Sequence, residues 1–121
     1  MDIKDYTAIF YDKSDGSYPA EDYLLSLDEK MRAKVARNIK VVETDGPASR
    51  EPYSKHLQDG IFEVRAQFST NIARVLYFFF DDRKIILTHG FTKKTQKTPP
   101  SEIDMAKKYR AEYLGREENK R

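Results

Sequence analysis

Arg65 and Arg74 sit inside runs of strand-forming residues, Gly60-Ile61-Phe62-Glu63-Val64-Arg65 and Arg74-Val75-Leu76-Tyr77-Phe78-Phe79. A third run, Leu87-Thr88-His89-Gly90-Phe91-Thr92, ends on the pair Lys93-Lys94. A guanidinium kept in an apolar strand is costly unless an anion compensates it. For Arg74 that anion is either a structural carboxylate or a phosphate, which a guanidinium can grip in two-pronged fashion. His89, the one histidine of the three runs, is the group suited to moving a proton near neutral pH. The expectation is that these cations converge on one concave side of a sheet, close enough to grip a single phosphate. Plainer roles compete: Arg65 pairing with Glu63 or Glu43, His89 serving as a hydrogen-bonded structural residue, and Lys93 and Lys94 solvating a strand end and discouraging edge pairing.

The elements that must position these residues follow from periodicity. Tyr6 to Tyr11 reads as a first strand. Ala20, Tyr23, Leu24 and Leu27 follow Pro19 at the spacing of a short helix. Ser26-Leu27-Asp28-Glu29 has capping-box form, so a second helix starts there, buries Met31, Val35, Ile39 and Val42, and stops at Gly46-Pro47. Its charged outer face, Arg32, Lys34, Arg37, Lys40 and Glu43, reads as a solvated surface. Ala48 to Asp59 has no clear period, contains Pro52, and reads as a loop that also carries His56.

From Ile61 the period becomes two, with Phe62, Val64, Ala66 and Phe68 on one face and Ile61, Glu63, Arg65 and Gln67 on the other. Ser69-Thr70-Asn71 and Asp81-Asp82-Arg83 turn the chain into strands from Ile72 to Phe80 and from Lys84 to Phe91, a three-stranded meander. The middle strand is apolar on both sides, as expected of one covered on both faces. A third helix follows Lys97-Thr98-Pro99-Pro100, capped by Ser101 or Thr98, with Ile103, Ala106, Tyr109/Arg110 and Tyr113 at helical spacing. The tail from Gly115 to Arg121 is expected to fray. The reading is one α+β domain over residues 1–121, a small antiparallel sheet packed against two N-terminal helices with a C-terminal helix.

Composition narrows the function. With 121 residues the chain suits one domain, and eight Tyr and seven Phe supply bulk that a 35% charged composition would otherwise lack. Basic and acidic residues number 22 and 20, so placement of charge matters more than its sum. The absence of cysteine excludes disulfides and thiolate zinc sites. The two histidines are far apart and no metal-ligand spacing occurs, so no metal or other cofactor is expected. Glycine-rich phosphate loops and serine-nucleophile turns are missing. Asp2, Lys4 and Asp5 interrupt any early apolar run, and Val75 to Phe80 is too short to span a bilayer, so a cytoplasmic protein without membrane partners is expected.

The element order, with Gly60 to Arg65, Arg74 to Tyr77 and His89-Gly90-Phe91-Thr92-Lys93-Lys94-Thr95-Gln96-Lys97-Thr98-Pro99, resembles the HigB-like toxins of the RelE/ParE superfamily from about Tyr6 to Tyr113. The resemblance implies the toxin of a type II toxin–antitoxin system, a metal-independent endoribonuclease that enters the ribosomal A site and cuts mRNA by 2′-OH attack on the adjacent phosphate. It implies a helix-turn-helix, HigA-like antitoxin as partner. Carried over position by position, Arg65, Arg74, His89 and Lys93 become catalytic candidates, and Lys94, Gln67 and Tyr109 RNA-binding ones, with Tyr109 or Tyr113 stacking on a base. Two departures stand out: Phe62 where relatives often carry tryptophan, and acidic Glu63 where RelE-like enzymes can be basic. The same fold also supports two other activities, a ParE-like gyrase poison that cuts nothing and an inactive antitoxin-binding co-repressor.

Overall fold

The structure, a computed structural model, describes residues 5–120. The early positions read above as interrupting a leader lie mostly outside them. Strand β1 (Thr7–Phe10) is followed by helices α1 (Pro19–Ser26) and α2 (Glu29–Asp45), strands β2 (Ser54–Gln58), β3 (Ile61–Phe68), β4 (Asn71–Phe80) and β5 (Lys84–Lys93), and helix α3 (Pro100–Asn119). The five strands form one sheet in the order β1-β5-β4-β3-β2.

The sheet is mixed rather than antiparallel, because β1 runs parallel to β5, with Thr7 opposite Lys84 and Phe10 opposite Leu87. A parallel neighbour needs a long crossover, and the chain from α1 through β4 supplies it. A second correction concerns Ala48 to Asp59, whose latter half is strand β2, paired antiparallel to β3 from Ser54 opposite Val64 to Gln58 opposite Ile61. Asp59 and Gly60 join the two with φ of 51° and 79°. Positive φ at both central residues is what a type I′ hairpin turn demands, and Asp-Gly is one of the dipeptides that meets the demand. The Ser54 hydroxyl lies 2.6 Å from the Tyr77 hydroxyl, both buried, which pins the short strand to the core.

Two local starts also differ from expectation. Asp28, not Ser26, caps α2, its carboxylate accepting from Met31 N at 2.9 Å. The Ser26 hydroxyl instead donates back to the Tyr23 carbonyl. Helix α3 begins on Pro100 with no side-chain cap, and Thr98 points into the interior. Instead of fraying at Gly115, α3 continues to Asn119, where Arg116 is held by Asp12 at 3.3 Å and Glu112 at 2.9 Å.

A separate core lies on each face of the sheet. Ala20, Leu24, Met31, Val35, Ile39 and Val42 of α1 and α2 pack on Val64, Val75, Tyr77, Ile85 and Leu87. On the other face Ile103, Ala106 and Tyr113 of α3 pack on Ile61, Leu76, Phe78 and Ile86. At Gly90 the α1 side comes so close that an added Cβ would meet the Tyr23 ring and lie 2.8 Å from the Arg74 carbonyl oxygen. Gly90→Ala is therefore expected to cost about 1–3 kcal/mol, as overpacking does, read as a lower urea midpoint with an unchanged slope.

Candidate functional site

Arg65 and Arg74 are direct cross-strand partners on β3 and β4. Like charges so placed repel, and the fold answers with Glu63, two residues before Arg65 on the same face. Glu63 Oε2 lies 3.0 Å from Arg65 Nε and Oε1 lies 3.7 Å from Arg74 Nε. The Thr98 hydroxyl donates to Oε1. Glu63 and Arg74 are both fully buried. Burial pushes the Glu63 carboxyl above its ordinary value, against the opposing pull of the Thr98 bond and the two guanidinium charges. Arg74 is shifted down, chiefly by burial, with Glu63 resisting.

The two arginines also strap down the segment after β5. Arg74 Nη2 donates to the Thr95 carbonyl, and Arg65 Nη2 donates to the Gln96 carbonyl at 3.0 Å and to its side-chain oxygen at 3.1 Å. Arg74 Nε and Nη1 make no hydrogen bond among the described residues, and the guanidinium lies 5.4 Å from the centre of the Phe91 ring. The choice left open for Arg74 is thus answered in this structure by a carboxylate, Glu63. Arg65 pairs with Glu63 and, more loosely, with Glu51 at 3.9 Å. Glu43 lies elsewhere, accepting from Ala8 N.

His89 reaches this face through an irregularity. In β5, Leu87 stands opposite Tyr77 but His89 opposite Leu76, leaving Thr88 as an extra residue whose hydroxyl donates to the Leu76 carbonyl. Strict alternation would put His89 with Leu87 under α1 and α2, and the bulge turns it toward α3 instead. There its Nε2 lies 3.1 Å from Glu102 Oε1 and its Nδ1 3.1 Å from the Thr88 hydroxyl. Phe91 stands between it and Arg74, its ring stacked 6.5 Å from the imidazole.

Burial depresses the His89 pKa, the Glu102 contact opposing it. The neutral ring is thus favoured on folding, so between the unfolded value of about 6.5 and the lower folded value the unfolded chain binds more protons. Stability is expected to be full above that unfolded value and to decline as pH falls toward the folded one. Urea unfolding of wild type and His89→Gln between pH 7.5 and 5 checks this, the variant showing the shallower decline.

Beside this buried network opens a cleft of about 420 Å³, bounded by Lys55, Gln58, Arg65, Gln96, Lys97 and Thr98 among others. Lys55 stands opposite Glu63 in the β2–β3 register and shares its face. Arg65 is the one cation that belongs both to the buried network and to the cleft wall. Lys93, Lys94, Gln67, Tyr109 and the buried His89 do not line this cleft. Lys93 ends β5 opposite Ile72 and Lys94 follows it, both exposed. Gln67 is exposed near the end of β3, its amide donating to the Ser69 carbonyl, and with Arg65 and Gln96 it lines a second, adjoining cleft. Tyr109 packs inward, stacked 4.8 Å from Tyr11 and edge-on to His89 at 5.7 Å. His56 sits on β2 rather than in a loop, edge-on to Phe62, and lines the first cleft.

Sequence reasoning missed Lys55, Gln96, Lys97 and Glu102 as members of the site. Asp59-Gly60 was the signal for Lys55, since it announces the strand that carries it. Gln96 and Lys97 lie within the His89 to Pro99 segment that carries the family resemblance but outside any regular element, where no periodicity fixes direction. Among the described residues no group of three or more His, Asp or Glu could hold a metal ion, and no helix is long and apolar enough to cross a membrane.

A five-stranded mixed sheet with two helices on one face and a C-terminal helix on the other, its arginines paired across adjacent strands, defines a small α+β protein of RelE-like fold. The chain belongs to the family of phage-derived Gp49-like proteins (DUF891), which it matches over residues 22–111. That family is associated with toxin–antitoxin systems, which supports a toxin role and implies an antitoxin partner. No curated protein matches the chain.

Proposed function

We propose that this protein is the toxin of a HigB-like toxin–antitoxin pair, a metal-independent endoribonuclease that cuts mRNA in the ribosomal A site. The observation that carries the reading is Arg65, which faces an open cleft between Lys55 and Lys97 while a second arginine, Arg74, stands opposite it in register. In this reaction the ribose 2′-OH attacks the neighbouring phosphorus, the bond to the 5′-oxygen breaks, and the products are a 2′,3′-cyclic phosphate and a free 5′-OH. Charge accumulates on the phosphorane oxygens, where fixed cations stabilise the transition state more than the ground state.

Arg65 supplies that charge at the cleft wall, and Arg74 holds the 95–98 segment and Glu63 that orient it. Direct contact of Arg74 with phosphate requires the segment to lift. Proton transfer falls to His89, whose neutral form suits a base and whose Nε2 Glu102 must release. A helix-turn-helix antitoxin neutralises the toxin, and the site of action is cytoplasmic.

Primer extension on cellular mRNA after induction tests the reading. Discrete new 5′ ends in wild type, reduced in Arg65→Ala at equal protein level, are the expected result. Intact mRNA with double-strand DNA breaks would instead establish the gyrase-poison alternative, and unimpaired growth would establish the co-repressor.

A further inference from the structure

A second cleft, of about 500 Å³, adjoins the first and wraps the edge of β3 beyond the point where β2 leaves it. Arg65, Gln96 and Glu51 line both, so the two form one groove with Arg65 at its centre. Lys34 and Arg37 of α2 and Tyr53 line the new part. Along the whole groove, among the described residues, five cationic side chains (Lys34, Arg37, Lys55, Arg65 and Lys97) face a single acidic one, Glu51. A protein whose basic and acidic residues nearly cancel thus places five of its 22 Lys and Arg residues along one track against a single acid.

The walls are built rather than adventitious. The exposed edge of β3 does not offer free backbone acceptors for another strand, because the Arg65 carbonyl accepts from Asn38 Nδ2 at 2.7 Å and the Gln67 carbonyl from Lys34 Nζ at 2.6 Å. Strand addition at this edge is therefore opposed. These bonds also hold α2 against the strand that carries Arg65. Tyr53 is 43% exposed and lines the groove together with Lys34 and Arg37. Each cleft falls within the roughly 300–1,000 Å³ that accommodates a small ligand. Spaced cations with an exposed aromatic side chain are the two components by which proteins hold unpaired nucleic acid.

We infer that the groove over α2 and the β3 edge is a track for single-stranded RNA, in which Lys34 and Arg37 meet backbone phosphates and Tyr53 stacks on a base flanking the nucleotide at Arg65. The inference rests on the nuclease reading and adds a binding site to it. Glu51, the one acid on the walls, opposes the strand's charge and weakens binding.

The test uses a fluorescent 2′-O-methyl RNA of about ten nucleotides, within the span such sites cover, which lacks the attacking hydroxyl and cannot be cleaved. Anisotropy titrations across salt concentrations are expected to show Lys34→Ala/Arg37→Ala reducing the salt slope by about 1.4, the sum for two contacts at ~0.7 each on a single strand. Tyr53→Ala should weaken binding on the order of tenfold with little change in slope. Glu51→Gln should tighten it, and Lys40→Ala on the same helix should do nothing.

If Arg65→Ala weakens binding while the Lys34, Arg37 and Tyr53 variants bind as wild type, the track is wrong and the nuclease reading survives. If wild type binds no oligonucleotide, the track falls, while the nuclease reading stands or falls on primer extension. Equal affinity for poly-L-glutamate would make the groove an acidic-protein site and overturn the inference.

Discussion

Glu63→Ala is expected to lower the free energy of unfolding by about 3–5 kcal/mol, the typical result of removing one partner from a buried ion pair. Glu63 is the counter-ion of both strand arginines, and without it Arg74 keeps its charge in a fully buried position, because a guanidinium does not deprotonate in proteins. The urea midpoint measures the loss. A Glu63→Ala midpoint close to wild type would mean that Arg74 is not the buried ion described here. Arg74→Ala should also destabilise, because it empties a fully buried site and removes the donor to the Thr95 carbonyl, although Glu63 keeps Arg65 and Thr98 as partners. Loss of toxicity in Arg74→Ala alone would therefore not separate a chemical role from unfolding. The double replacement Glu63→Leu/Arg74→Met does: swapping a buried pair for apolar residues of similar volume is often neutral, so the double variant should recover much of the stability lost by either single one. A stable but inactive double variant assigns the pair to function, and a stable, fully toxic one reduces it to scaffolding.

Arg65→Ala is expected to cut cleavage by about 10²–10³-fold, the loss seen when one preorganised donor to transition-state charge is removed. Unlike Arg74, Arg65 is partly exposed to solvent at the cleft, so its removal leaves less buried charge uncompensated. Arg65→Lys is the informative companion. The ammonium keeps the charge but not the fork that reaches Gln96 and Glu63 together, so it should recover only part of the rate. Primer-extension band intensity against time after induction, at matched protein levels, reads both. Cleavage by Arg65→Ala at the wild-type rate would remove the cleft from the mechanism.

The strands that carry the chemistry were legible because each carries its own pattern. Alternation from Ile61 put Glu63 and Arg65 on one face, and the double-sided apolar character of β4 announced cover on both sides, which α1 with α2 and α3 provide. The buried stripe of α2 was equally plain, since Met31, Val35, Ile39 and Val42 recur at helical spacing. Its cap was not, because Ser26 and Asp28 both have capping chemistry and only the path of the preceding helix decides which carboxylate or hydroxyl meets the free amides.

By itself, then, the sequence determined which residues form the central strands, that one buried arginine must find an anion, and that a helix closes the chain. Those follow from local periodicity and from the cost of an unpaired charge, both of which act over a few residues. Only the tertiary structure decided that the anion is Glu63, that a one-residue bulge at Thr88 turns His89 to the arginine face, and that Lys55 and Lys97, far apart in the chain, border one cleft. Such facts depend on register between strands and on where an irregular segment is tied down, and neither leaves a periodic trace in the residues concerned.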